Sequence, residues 1–195
     1  MKRCVFLVQA AALLLLVLSA CSAKPEKAGT SIFAMDTIIT MEAYGEGAQE
    51  ALDEAARRLY SLDDLLSATK EDSEISKINK SAGSFVTVSD EVIRQLEAAL
   101  EVSRRSGGAF DVSVQPLVSL WGFGTENPHV PGPEVIEEAL RYVDYRKIEI
   151  SGSSVRLSEG MSITLGAIAK GYAAKELSEM LKSRGISSAI LSLGG

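Results

Sequence analysis

The chain has 195 residues, 20 basic and 26 acidic side chains, a formal net charge of −6 and 46% hydrophobic residues. That acidity excludes the basic footprint of a nucleic-acid binder. The length sets one globular domain as the starting expectation.

Taken in chain order, the first element is a targeting segment. Lys2 and Arg3 precede an apolar run from Val5 to Leu18, broken by Gln9 alone, which closes on Leu18-Ser19-Ala20-Cys21. A basic start, a short apolar stretch and small residues before a cysteine read as a lipoprotein signal over residues 1–20, with Cys21 acylated as the new N-terminus. An ordinary signal peptide with an incidental cysteine is the alternative. The run is shorter than the roughly 20 residues a permanent span needs. Acyl chains anchor through about 0.8 kcal/mol per buried methylene, and stable anchoring takes more than one chain. Cys4 leaves with the signal and Cys21 carries lipid, so no thiol remains for a disulfide, a zinc site or a nucleophile. Loss of Lys2 and Arg3 leaves 18 basic against 26 acidic residues, a net charge of −8 over 175 residues.

Residues 21–29 form a polar lipidated tether, read from Ser22 as SAKPEKAG. Ile32 to Tyr44 contains the β-branched run Thr37-Ile38-Ile39-Thr40 and predicts an opening strand. From Gly47 to Leu66, Ala48, Leu52, Ala55, Leu59, Leu62 and Leu66 recur at helical spacing and predict a helix that covers a sheet. Ser89 is the expected N-cap of a second helix carrying Val92, Ile93, Leu96, Leu100 and Val102 and ending near Gly107-Gly108. A third helix is expected after Pro133. Lys147–Ile150 and Val155–Ser158 predict a hairpin around Gly152. Ser162–Leu165 reads as a short strand, Ala167–Lys182 as helix and Ser188–Leu193 as strand. The fold class is α+β, with a mixed sheet covered by helices over residues 30–195.

Two stretches carry the chemistry. In SGGAFDVSVQPLVSLWGFG, Ser106 to Gly124, two glycines stand before Ala109-Phe110-Asp111, where the lack of a Cβ lets backbone approach a ligand closely. A buried loop with an aromatic plug is the competing reading. In LGAIAKGYA, Leu165 to Ala173, Lys170 sits among small residues at a helix start, a setting suited to phosphate. The stretch lacks the P-loop and GxGxxG spacings, and a solvated lysine is the alternative.

In order along the chain, these motifs resemble the FAD:protein FMN transferases, the ApbE family. Met35-Asp36-Thr37 is similar to the family's opening Met-Gly-Thr, and SATKEDSEISKIN, Ser67 to Asn79, to its Ser-Glu-Leu/Ile…Asn segment. The Gly-Gly-Ala-Phe-Asp, Pro-Leu…Leu-Trp-Gly-Phe and Leu-Gly-Ala-Ile-Ala-Lys-Gly-Tyr elements follow in the family's order, so the resemblance covers Thr30 to Gly195.

The resemblance implies an ApbE-like, T-fold-related architecture. It also implies an enzyme that cleaves the pyrophosphate of FAD with Mg²⁺, passes FMN to a threonine of an exported acceptor protein of a membrane redox complex, and releases AMP. Met35, Ala109, Phe110, Asp111 and Lys170 match positions that contact FAD. Asp111 is expected to accept hydrogen bonds from adenine or ribose and Lys170 to pair with phosphate. For Phe110, ligand contact and core packing stand side by side. Ala167 matches a position whose backbone carbonyl helps hold the metal. Tyr172 is assigned to core packing and Trp121 to anchoring its loop.

The departures are specific. Asp36 stands where many members have Gly, Thr69 where many carry Tyr, and Thr164 where Asp is usual; Thr69 and Thr164 are retained as candidate contacts. His129 lies in a proline-rich turn and reads as a surface residue. Family members continue past Leu193-Gly194-Gly195 to a His-Ile-Ile-Asp-Pro segment and the Asp and Thr side chains that complete the metal site, so the chain is expected to be the N-terminal part of such a protein, incomplete at its C-terminus, either as an incomplete copy or as a truncated gene product. Two other functions remain as alternatives: a non-catalytic flavin-binding lipoprotein and an FAD pyrophosphatase. The expected location is the exported face of a cell membrane, through the lipid anchor.

Overall fold

The computed structural model describes residues 26–81, 83–123 and 125–194. The signal, Cys21 and the tether up to Pro25 lie outside them. Strand β1, Lys27–Ala34, starts inside the expected tether and pairs antiparallel with β2, Thr37–Tyr44, from Lys27↔Tyr44 to Ala34↔Thr37. The polar composition of Lys27–Gly29 hid this extension. Ala28 is buried, and Lys27 reaches Glu42 at 3.0 Å across the ladder.

The single opening strand expected over Ile32–Tyr44 is therefore a hairpin. Its two-residue turn, Met35-Asp36, has φ of 53° and 59°. Positive φ at both central positions defines the primed turn whose twist matches the strands, a geometry that usually recruits Asn-Gly. Along β2, Ile39, Met41 and Ala43 turn inward while Ile38 and Thr40 face solvent, the period-two pattern of a sheet with one covered face. Helix α1, Ala48–Leu66, covers that face with Leu52, Leu59, Leu62 and Leu66. β6, Ser188–Ser192, completes the order β1-β2-β6 by pairing antiparallel with β2.

α2, Glu74–Asn79, is a single capped turn and a half. β3, Val86–Thr87, belongs to a second sheet of order β3-β5-β4, in which β4, Glu149–Ser151, and β5, Ser154–Arg156, turn tightly through Gly152 at φ 57°. α3 runs Asp90–Arg105. The Val92 N–H donates to the Ser89 hydroxyl at 3.4 Å, and Ser89 N–H and Oγ–H donate to Glu74 at 2.8 and 2.9 Å. Val102 departs from the expected stripe, standing exposed while Ser103 is buried. α4, Gln115–Leu120, α5, Pro133–Leu140, a 3₁₀ turn at Tyr145–Lys147 and α6, Gly166–Ser183, complete the described elements.

The α+β class holds. Both sheets pair antiparallel, and parallel pairing among the described residues is confined to the bridge Val114↔Ser162. Ser162–Leu165 does not form the expected strand, because the Asn79 side chain, not a neighbouring strand, bonds both the N–H and the C=O of Ile163. No helix among the described residues is long and apolar enough to cross a membrane.

Candidate functional site

The C-terminus of α3 begins the site. Gly107 and Gly108, at φ 63° and 86°, turn the chain back while their N–H groups donate to Arg104 and Ser103 carbonyls at 3.1 and 2.9 Å. These left-handed positions suit glycine, which lacks a Cβ to clash. Ser106 Oγ then accepts the Phe110 N–H at 3.0 Å, leaving Ala109 exposed and Phe110 half-buried against the core. Phe110 therefore packs and still shows part of its surface.

Asp111 is used inside the protein. One oxygen accepts the Ser113 N–H at 2.8 Å and the Ser113 hydroxyl at 2.6 Å, and the other accepts the Tyr145 N–H at 3.1 Å. Ser113 Oγ in turn accepts the Asp144 N–H at 2.8 Å. This carboxylate ties the Ala109–Asp111 loop to the chain 34 residues later. The role expected for it, accepting hydrogen bonds from a nucleoside, competes with three internal donors.

Asn79 brings in the third segment. Its Nδ2 donates to the Ile163 carbonyl at 2.9 Å and its Oδ1 accepts the Ile163 N–H at 2.7 Å. The next residue, Thr164, donates its N–H to the Val112 carbonyl at 3.0 Å, so the Asp111 loop and the start of α6 lie side by side. Thr164 Oγ1 accepts the Gly166 N–H at 3.2 Å and satisfies one free donor of that helix. Ala167 is exposed on the first turn and Lys170 is half-buried on the next. None of the ion pairs among the described residues takes Lys170.

Met35 and Thr69 stand apart from this cluster in hydrogen bonding. Met35 is half-buried against the shared core at the hairpin turn. Gly194 approaches that turn so closely that a Cβ there would lie 2.4 Å from Thr37 Oγ1. Thr69 is exposed in the turn after α1, where Ser67 Oγ accepts the N–H groups of Thr69 and Lys70 at 3.1 and 3.0 Å. His129 is exposed, as expected for a surface turn.

Two features escaped sequence reasoning. A cavity of about 310 Å³ opens beside Asn79, lined also by Ser81, Leu157, Gly160, Met161 and Ser162. Its only sequence signals are the turn residues around Gly83 and Gly160. The second feature is a charged network joining α1, α3 and α6. Arg58 donates to both oxygens of Glu176, Nε at 2.5 Å and Nη2 at 3.0 Å, and Nη2 also donates to Glu91, which accepts the Tyr172 hydroxyl at 3.1 Å. Glu176 chiefly, with Glu91, holds the guanidinium more firmly protonated than usual. Burial first, then the Glu91 charge, pushes the Tyr172 phenol up.

The class this architecture defines is an α+β domain with its candidate site gathered at the ends of α2, α3 and the start of α6. The chain belongs to the ApbE family, whose model matches residues 35–195. It is 35% identical over 154 residues to an FAD:protein FMN transferase of Treponema pallidum, covering 74% of this chain and 42% of the relative. A Klebsiella pneumoniae FAD:protein FMN transferase is 34% identical over 152 residues, covering 73% and 48%. Among solved structures, the ApbE protein of Thermotoga maritima superposes with a TM-score of 0.80 at 27% identity, covering 85% of this chain and 57% of that one. The apo form of the Pseudomonas stutzeri flavinyl transferase ApbE gives 0.78 at 28%, covering 89% and 60%. The chain thus spans less than half the length of these two sequence relatives.

Proposed function

We propose that this chain supplies the FAD-binding part of an FAD:protein FMN transferase. In this reading FMN passes from FAD to a threonine of an exported acceptor protein in a membrane redox complex, and AMP leaves. The observation that carries it is the junction of the Ala109–Asp111 loop with the start of α6 through Thr164 N–H and the Val112 carbonyl. Two segments that are informative in sequence meet there in space. The names of the relatives support the same reaction.

The residues divide the work. Gly107 and Gly108 leave the backbone before Ala109 accessible, and the exposed part of Phe110 offers an apolar surface to a ring. Asp111 keeps that loop in shape. Lys170 presents a positive point charge near the start of an 18-residue helix, whose dipole also favours phosphate. For a phosphoryl-type transfer, positioning and charge neutralisation are the main contributions a protein makes.

Mg²⁺ is the metal proposed for the reaction, where it polarises phosphate oxygens. Ala167 offers one carbonyl, whereas Mg²⁺ takes six oxygens in octahedral geometry. Among the described residues no three acidic, histidine or cysteine side chains gather into a metal-binding group. These residues therefore do not form the ion's site by themselves. Lipid anchoring at Cys21 on the exported face of a membrane is part of the proposal, supported by the basic, apolar and small-residue order of residues 1–21.

The test is incubation of the protein with FAD, Mg²⁺ and a threonine-bearing acceptor. AMP release with flavin covalently on the acceptor supports transfer. FAD binding with no AMP supports the non-catalytic flavin lipoprotein, and free FMN plus AMP with an unmodified acceptor supports the pyrophosphatase, a reading favoured by the exposed Thr69 in place of a ring. No FAD binding sinks all three.

A further inference from the structure

The start of α6 is intrinsically weak. It holds Gly166 and Gly171 within its first six residues, and its N-cap, Leu165, makes no side-chain capping bond. The only fully buried side chains in its first two turns are Ala169 and Ala173. Ile168 and Tyr172 pack against the core in part, and alanines bury little area, so this end of the helix has few fully seated knobs to resist rotation about its own axis. Yet Lys170 sits on this segment, and a rotation of the helix would swing its ammonium away from any phosphate.

At 3.6 residues per turn, Ala169, Ala173, Leu177 and Leu181 form the buried stripe, with Tyr172 and Glu176 on one flank and Lys170 on the other. The flank opposite Lys170 is the one that Arg58 and Glu91 hold. Arg58 forks onto both oxygens of Glu176, and Tyr172 donates to Glu91, so two points one turn apart on α6 are fixed to α1 and α3. Two anchors along a helix set its rotation as well as its distance. The groups are partly buried, which lessens screening by solvent.

We infer that the Arg58–Glu91–Glu176–Tyr172 network is a positioning device that fixes the rotation of α6 and thereby aims Lys170 at the anion of the bound nucleotide. The identity of that anion rests on the function proposed above; the rotational restraint does not. Tyr172 and Glu91 act through the helix and touch no substrate.

The experiment compares wild type with Tyr172→Phe, which removes one hydroxyl and keeps the ring, and with Glu91→Gln, which keeps the oxygen that accepts from Tyr172. Amide hydrogen exchange is read over residues 166–172 and over α1, and FAD affinity is read by titration. The expected result for Tyr172→Phe is about fivefold faster exchange over 166–172 with α1 unchanged, and about fivefold weaker FAD binding, the scale of one hydrogen bond. Glu91→Gln, which keeps an acceptor for the Tyr172 hydroxyl, is expected to exchange over 166–172 and to bind FAD more nearly as wild type does than Tyr172→Phe. Unchanged exchange over 166–172 in Tyr172→Phe overturns the inference, and so does exchange that rises equally throughout the chain. Weaker exchange protection with unaltered FAD affinity also overturns it. If wild type binds no FAD, the proposed function fails, and the exchange measurement alone decides whether the network fixes the helix.

Discussion

The loop around Asp111 and the hairpin turn at Met35-Asp36 hold candidate site residues by opposite means. Around Asp111 and Ile163, polar groups meet partners from elsewhere in the chain: three donors on one carboxylate and both backbone groups of Ile163 on one amide. At the hairpin, two residues with side chains occupy left-handed backbone positions. The first region is stabilised by its side chains, and the second is stable in spite of them. Substitutions in the two regions should therefore shift stability in opposite directions.

The largest effect is expected at Asn79. Asn79→Ala strands the N–H and C=O of Ile163, and unsatisfied groups cost about 1–3 kcal/mol each, so urea denaturation should show about 3 kcal/mol lost. A loss below about 1 kcal/mol would mean that water replaces the amide and that this region is not locked by its partners. Asp111→Asn comes next. One oxygen survives for Ser113, but an NH₂ placed against the Tyr145 N–H loses an acceptor, for an expected cost of about 1–2 kcal/mol in the same measurement.

Asp36→Gly should have the opposite sign. The left-handed conformation costs an ordinary residue about 1–2 kcal/mol. Glycine avoids that cost but loses more chain entropy, so a net gain of about 0.5–1 kcal/mol in thermal unfolding is expected. Destabilisation by Asp36→Gly would show that the carboxylate makes up for its backbone and would remove the contrast.

The smallest effect concerns pH. The Arg146 guanidinium, more than the Arg146 N–H, holds the Asp144 carboxyl below its usual 3.8. A depressed folded value means that this contribution is present above pH 3.8 and is lost as pH falls through the folded value. An Asp144→Asn variant should therefore show a shallower fall in stability below pH 4 than wild type, and identical acid limbs would refute the assignment.

The contrast also explains what the sequence made legible. α1 and α3 were readable because Leu52, Leu59 and Leu62, or Val92, Leu96 and Leu100, repeat at helical spacing, and Ser89 caps where a serine should. The hairpin was hidden because Met-Asp is not a recognised primed-turn pair; the glycine common at position 36 in the resembled family finds its reason in φ 59°. α2 and α4, six residues each, are too short for periodicity to show. At the site, sequence order brought Ala109–Asp111 and Thr164–Lys170 to attention. It did not reveal that Asp111 is bonded inward, since its partners Ser113 and Tyr145 carry no motif. The Arg58 network was equally silent: Arg58 lies in a stretch of mixed charges that looks like a solvated helix face, and no motif marks Glu91 or Glu176.

The Asn79 amide and the Ile163 backbone are 84 residues apart. The β1–β2 hairpin closes across a two-residue turn and can form as soon as its own strands exist. The loop that places Thr164 beside Val112 must wait for the chain to bring residue 163 back, a long-range closure that is entropically slow. The candidate site is therefore assembled late in folding, and a chain emerging N-terminus first carries its hairpin and α1 well before it can hold a ligand.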